Sequence, residues 1–196
     1  GGVFMNRKIQ MIRLMLCRNG YRRAEYLKKK SYFHKQGEGC YFVPYNFGTE
    51  PHLLSFGNNV HVATGVRFIN HDVTAMMFQR MECMKGKHLA NRAGKIEIGD
   101  NVFIGAGSMI LYDVKIGNNV IIGAGALVNK DIPDGGVYAG IPAAKIGEFD
   151  AYMKKTLAFS EKVNWNNEEN RKSVVKKQKD YFWGSDRNIY TTGGEK

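Results

Sequence analysis

The middle of this chain is ordered by a stride of six. Aliphatic side chains recur at Ile98, Ile104, Ile110, Ile116, Ile122 and Val128. A second series, Val102, Ser108, Val114, Val120 and Ala126, stands two residues ahead of the matching members of the first, and Ile132 closes it. Side chains along a strand point alternately to opposite faces, so two inward positions flanking one outward residue predict short strands such as Val102 to Ile104 and Val120 to Ile122. Between them stand Gly99-Asp100-Asn101, Gly105-Ala106-Gly107, Gly117-Asn118-Asn119 and Gly123-Ala124-Gly125. Glycine and asparagine reach positive φ at low cost, which makes these segments corners. Three strands and three corners set Ile98 under Ile116, Ile104 under Ile122 and Ile110 under Val128. A helix, with its period of about 3.6, cannot keep this stride. The prediction is an all-β fold, a parallel β-helix of hexapeptide repeats.

The same phase runs upstream and then stops. Phe56, Val62 and Phe68 continue the first series and Val60 and Val66 the second, but the pattern ends at Ile69-Asn70-His71-Asp72 and resumes only near Ile96. Residues 73–95, with Met76, Met77, Met81 and Met84 and little alternation, must leave a corner as an exterior loop. Their methionines and Phe78 suggest packing on an apolar partner, with a neighbouring subunit the natural candidate. Gly37 to Ser55 reads as irregular and aromatic. The predicted organisation is a basic N-terminal helical arm at 5–36, the β-helix at 37–147 with its inserted loop, and a helical extension at 148–196. In the arm, Ile9, Ile12 and Leu16 share a face expected to pack on the end of the coil, with a break at Asn19-Gly20. The sharper alternative is a basic amphipathic segment making peripheral contact with an anionic membrane. Helices are expected over Phe149 to Phe159 and Glu168 to Phe182.

The repeat, followed by Asp131-Ile132-Pro133-Asp134 and Ala139-Gly140-Ile141-Pro142-Ala143, resembles the hexapeptide-repeat acyltransferases, in particular the maltose and galactoside O-acetyltransferases and their polysaccharide O-acetyltransferase relatives. The resemblance covers about Asn46 to Gly147. It implies a left-handed coil, against the usual hand of crossovers, and a homotrimer with active sites between subunits. It also implies transfer of an acetyl group from acetyl-CoA to a hydroxyl of a sugar or polysaccharide precursor. An antibiotic O-acetyltransferase and a non-catalytic β-helix are the alternatives, and thioester consumption separates the second from an enzyme.

Charge narrows the partners. The net charge is +11, and residues 6–35 hold ten Lys or Arg against Glu25 alone, so the excess belongs to the arm and not to a nucleic-acid groove on the coil. From Glu148 onward ten basic and eight acidic residues make a mixed surface. Cys17, Cys40 and Cys83 are odd in number and widely spaced, which suggests neither a disulfide framework nor a zinc site. The five histidines contain no pair five residues apart, as the zinc-binding β-helical carbonic anhydrases would require, so no metal is expected. No apolar run approaches the roughly 20 residues that span a bilayer, and a cytoplasmic location is expected.

Acetyl transfer needs a group that takes the hydroxyl proton as oxygen attacks the thioester, and imidazole suits this near neutral pH. By resemblance that group is His71, where the coil gives way to the loop. Its orienting carboxylate is open among Glu50, Asp72 and Glu82; Asp72 is adjacent, but neighbours on a strand face opposite ways. Asn70 either holds the acceptor or shapes the corner, and His52 lies close to Glu50 in sequence. The resemblance further implies that the pantetheine arm runs past backbone groups near Ala106 and Ala124, that Asn129 and Lys130 meet the far end of the cofactor, and that Lys145 is a weaker phosphate contact. No acylated serine or cysteine is called for.

Overall fold

Each repeat folds as a strand of two or three residues and a corner. The structure, a computed structural model, describes residues 7–163, 165 and 170–184. It divides into two compact units, 1–150 and 151–196. The first unit begins with helices α1 (Arg7–Leu16) and α2 (Gly20–Lys29), followed by β1 (Lys35–Gln36) and β2 (Tyr41–Phe42). Next come β3 (Leu54–Phe56), β4 (His61–Val62) and β5 (Arg67–Ile69). The interruption holds β6 (His71–Asp72), the short helix α3 (Thr74–Phe78) and β7 (Arg92–Ala93). The regular coil resumes with β8 (Ile96–Ile98), β9 (Val102–Ile104), β10 (Met109–Leu111), β11 (Val114–Ile116), β12 (Val120–Ile122) and β13 (Leu127–Val128). It ends on β14 (Gly136–Ala139) and β15 (Ala144–Glu148).

Successive strands fall on three sheets in rotation. The first sheet is ordered β1-β3-β8-β11, the second β15-β14-β12-β9-β4-β2 and the third β13-β10-β5. Pairing is parallel throughout these sheets except for β14 with β15. Ile98 pairs with Ile116, Ile104 with Ile122 and Ile110 with Val128. All twelve inward positions, Ser108 included, are buried. Burial of each large one contributes about 1.5 to 3 kcal/mol, an upper figure because unfolded chains are not fully extended.

The corners repeat as closely as the strands. Asn59, Asn101 and Asn119 have φ of 53°, 55° and 55°. Their amides form a ladder along the coil: Asn59 Nδ2 donates to Asn101 Oδ1 at 3.0 Å and Asn101 Nδ2 to Asn119 Oδ1 at 2.9 Å. Beside it, the backbone N–H groups of Asn58, Asp100 and Asn118 each donate to the side chain one turn on, at 2.7 to 2.8 Å. Gly99 must be glycine because a Cβ there would come within 2.6 Å of Asn118 Oδ1.

Two expectations need correction. Gly37 to Ser55 is not simply irregular: β1 and β2 pair with β3 and β4, and Tyr41 lies over His61, so an additional, longer turn precedes the recognised ones. Its inward side chains are aromatic, and Phe33, Phe42, Phe47, Phe56 and Phe68 meet edge to face or stacked at that end of the core. The face of Ile9, Ile12 and Leu16 does not pack on the coil: these residues are 47%, 57% and 79% exposed, and Leu14 is buried in their place. The helix that meets the coil is α2, through Ala24 and Leu27, with Asn19 capping it by accepting from Arg22 N–H at 3.0 Å. In the interruption, Met76, Met77, Phe78 and Met81 are all exposed among the described residues. Beyond Pro142 the sequence pattern fails, yet β15 turns back antiparallel on β14 to finish the second sheet.

In the second unit, helix α4 (Phe149–Lys162) begins at the junction and α5 (Arg171–Trp183) follows. Met153 and Leu157, four residues apart on α4, are 53% and 60% exposed. Phe159, Trp165, Tyr181 and Phe182 cluster instead. Residues 168 and 169 of the expected second helix lie outside the described residues.

Candidate active site

The coil is interrupted directly after β5, and the side chains gathered there come from both ends of the break. β6 and β7 pair antiparallel, with His71 opposite Ala93 and Asp72 opposite Arg92, and they close the root of the loop. Gly94 N–H donates to the Asn70 carbonyl at 2.8 Å, tying the root to the returning chain. Approaching from the preceding turn, Asn46 to Glu50 pass over this point, and Gly48 takes φ +86°. Pro51 then starts a single 3-10 turn, Pro51–Leu53, in which Glu50 does not use its carboxylate as a cap. That carboxylate turns to His71.

Glu50 Oε2 lies 2.7 Å from His71 Nδ1. Thr49 Oγ1 lies 2.5 Å from the same carboxylate oxygen and 2.8 Å from Nδ1. Partial burial pushes the Glu50 carboxyl up, but the hydrogen bonds from Thr49 and His71 and the charges of His71 and His52 outweigh it and hold the group below its ordinary value. An ionised Glu50 makes Nδ1 the protonated ring nitrogen. Thr49 then donates its hydroxyl to Glu50, and the Nε2 lone pair is left for an incoming proton. The two side chains are 30% and 28% exposed, so the pair is sheltered but reachable.

Of the three open carboxylates, the structure brings Glu50 to the imidazole. Asp72 accepts from Thr74 N–H at 2.7 Å, and that bond, with Arg92 nearby, lowers its pKa; it shapes the start of α3 and does not meet His71. Glu82 pairs with Lys85 at 3.2 Å out in the loop. Asn70, 2% exposed, lies next to the pair with neither amide atom hydrogen-bonded. Thr49 was not foreseen; its only sequence signal was its place beside Glu50.

The residues implied for the cofactor lie elsewhere on the coil. Ala106 and Ala124 stack at the corner between the second and third sheets, where Gly107 N–H donates to Thr64 O at 2.9 Å and Gly125 N–H to Ala106 O at 2.8 Å. A Cβ on Gly107 or Gly125 would meet nothing within 4 Å, so this corner is an open strip. Asn129 and Lys130 follow β13 and are exposed, on the same edge of the third sheet as Asn70 and His71. Lys145 is engaged by Glu148 at 2.7 to 2.8 Å, and that hydrogen bond raises its pKa.

Comparison with known proteins places this arrangement. Residues 95–130 match the family described as bacterial transferase hexapeptide (six repeats). Protein CapG of Staphylococcus aureus is 42% identical over 136 residues, which span 66% of this chain and 76% of that protein. Among solved structures, a galactoside acetyltransferase in complex with coenzyme A aligns with a TM-score of 0.51 and 26% identity, over 76% of this chain and 81% of that one. A maltose O-acetyltransferase from Clostridium difficile 630 aligns at 0.48 and 23%, over 72% and 83%. The chain belongs to the bacterial hexapeptide-repeat transferases. It is an acyltransferase.

Proposed function

We propose that this acyltransferase moves an acetyl group from acetyl-CoA to a hydroxyl of a sugar or polysaccharide precursor, by direct transfer in a ternary complex with His71 as general base. The hydrogen-bonded Glu50 and His71 at the mouth of a cleft carry this reading. His71 Nε2 takes the proton of the acceptor hydroxyl as its oxygen attacks the thioester carbonyl; Glu50 steadies the imidazolium that forms. A backbone N–H stabilises the tetrahedral oxyanion. Collapse breaks the carbon–sulfur bond, and the imidazolium returns its proton to the CoA thiolate. Asp72 drops out of the proposed machinery.

The donor fits the open strip at Ala106 and Ala124, where small residues let the pantetheine arm reach backbone groups. Asn129 and Lys130 stand further along as contacts for its far end, with Lys130 free to meet phosphate charge. Lys145 would first have to leave Glu148. In keeping with the family, the coil is left-handed and three copies pack side by side. The outward residues support the packing of copies: the first sheet shows Lys35, Ser55, Glu97 and Lys115, whereas the second shows Tyr41, His61, Phe103 and Ile121 and the third Arg67, Ile69, Met109, Leu111 and Leu127. Two mainly apolar faces and one polar face suit a ring in which each copy buries two faces.

His71→Ala is expected to cut acetyl-CoA-dependent thiol release by about 10²- to 10⁴-fold, while calorimetric binding of CoA is unchanged. Ordinary turnover by this variant removes the assignment.

A further inference from the structure

Helix α1 is built inside out. It puts Leu14 against the core, while Ile9, Ile12 and Leu16, at the i, i+3 and i+7 spacing that shares one helical face, are exposed on the side away from it. Met15 borders that stripe and is exposed too, and Met11 on the flank lines a cleft of about 480 Å³ beside His71. The helix is held at a fixed attitude. Leu14 is buried, and its carbonyl accepts at 3.1 Å from Arg23 Nε, a side chain of α2 that is itself buried and also donates to the Val43 carbonyl at 3.0 Å. An aliphatic stripe is thus turned outward by a helix tied to the body.

Charge decides what can cover it. α1 contains no acidic residue, and residues 6–35 hold ten Lys or Arg against Glu25 alone, with Arg13 and Arg18 exposed on and just after the helix. A second copy of the arm laid on this face would set cations against cations. An anionic lipid surface supplies both halves of the match, acyl chains for the stripe and phosphate charge for the cations. A helix of this length reaches about 15 Å, half of the roughly 30 Å hydrocarbon layer, and among the described residues no helix is long and apolar enough to cross it. A helix of this kind lies in the surface.

We infer that α1 is an interfacial anchor that seats this protein on an anionic bilayer. Because Met11 of the same helix lines the cleft, the seated protein holds that cleft and His71 close to the headgroup layer. On the acetyl-transfer reading, an acceptor carried on a lipid then reaches His71 without leaving the membrane. The anchoring itself does not depend on that reading.

The test is sedimentation of the full chain with vesicles of phosphatidylcholine alone and of phosphatidylcholine with phosphatidylglycerol at about two to one. Partition into the mixed vesicles is expected to exceed that into the neutral ones by about tenfold or more, and to fall in about 1 M salt, where charges are screened within about 3 Å. Ile12→Gln and Leu16→Gln together, which keep good helix formers, are expected to lower partition by about tenfold or more. Thiol release by that variant with a water-soluble acceptor stays at the parent's rate. Arg13→Gln with Arg18→Gln should weaken binding to the anionic vesicles, and Met77→Ser, on a comparably exposed side chain of the loop, should leave it unchanged. Equal binding to the two vesicle types, an unchanged partition in the Ile12 and Leu16 variant, or a loss at Met77→Ser in its place overturns the assignment. So does a change in that variant's lipid-free oligomeric mass, which would make the stripe a contact between copies. A chain that binds the mixed vesicles yet releases no thiol overturns acetyl transfer and leaves the anchor standing.

Discussion

Two buried polar residues in the same winding, Ser108 and Asn70, have opposite fates. Ser108 sits in the regular turns, fully buried, and its hydroxyl is close to two carbonyls, Gly105 O and Gly123 O, each at 2.9 Å. Asn70 sits where the winding breaks, 2% exposed, with both amide atoms unpartnered. A buried polar group without a partner costs about 1 to 3 kcal/mol. The regular turns remove such costs by repetition, because each corner meets an identical corner one level away. The interruption has no such neighbour, and there the chain keeps an unpaired amide, a hydrogen-bonded Glu50 and His71 and an open cleft together.

The largest contrast in stability follows from packing. Ile116 lies between Ile98 and Ile132 in the stack and is 1% exposed. Ile116→Ala is expected to cost about 2 to 5 kcal/mol, read as a fall in the denaturation midpoint. Met77, 59% exposed on the loop, should change stability by less than about 0.5 kcal/mol on the same truncation. Equal losses at the two sites would mean that the loop is part of the fold's support.

A smaller effect reverses sign between the two polar residues. Ser108→Ala removes the hydroxyl from between two carbonyls and should destabilise by about 0.5 to 1.5 kcal/mol. Asn70→Leu replaces an unsatisfied amide with an apolar group of the same branched shape and should stabilise by about 1 to 3 kcal/mol, while acceptor turnover falls. Thermal melts of both variants, with thiol release alongside, check this. A destabilised Asn70→Leu would show that the amide has a structural partner and that the two regions differ less than proposed.

This division also governs what the sequence could reveal. The stride of six marked the inward positions from Phe56 onward because a repeat fixes side-chain direction by periodicity alone, and the glycine and asparagine corners fell where positive φ was needed. The first turn stayed hidden because it is longer than the rest and fills its core with phenylalanines at uneven spacing. In α1, helical periodicity identified an apolar face but could not say that α2 would occupy the coil instead. At the site, His71 was singled out by the family resemblance, at the point where the pattern ends. The choice among Glu50, Asp72 and Glu82 was not, since it depends on a strap that crosses from the preceding turn and on Thr74 N–H claiming Asp72.

The smallest expected effect concerns that strap and is read through pH. The folded-state pKa of Glu50 is depressed below its ordinary value of 4.5. The unfolded chain therefore binds the proton more readily than the folded one, and the contribution of Glu50 is fully present above 4.5 and lost as pH falls through the depressed folded value. Glu50→Gln keeps the shape and removes the charge. Its melting temperature should lie below the parent's at neutral pH, and the gap should close as acid protonates the parent's carboxylate. Asp72 and Asp134 also have lowered values, so both proteins lose stability in acid and only the difference between them reports on Glu50. A gap that stays constant from neutral pH to about 3 would mean that the charge of Glu50 contributes nothing to holding His71. The imidazole would then be placed by the antiparallel pairing of β6 with β7 alone.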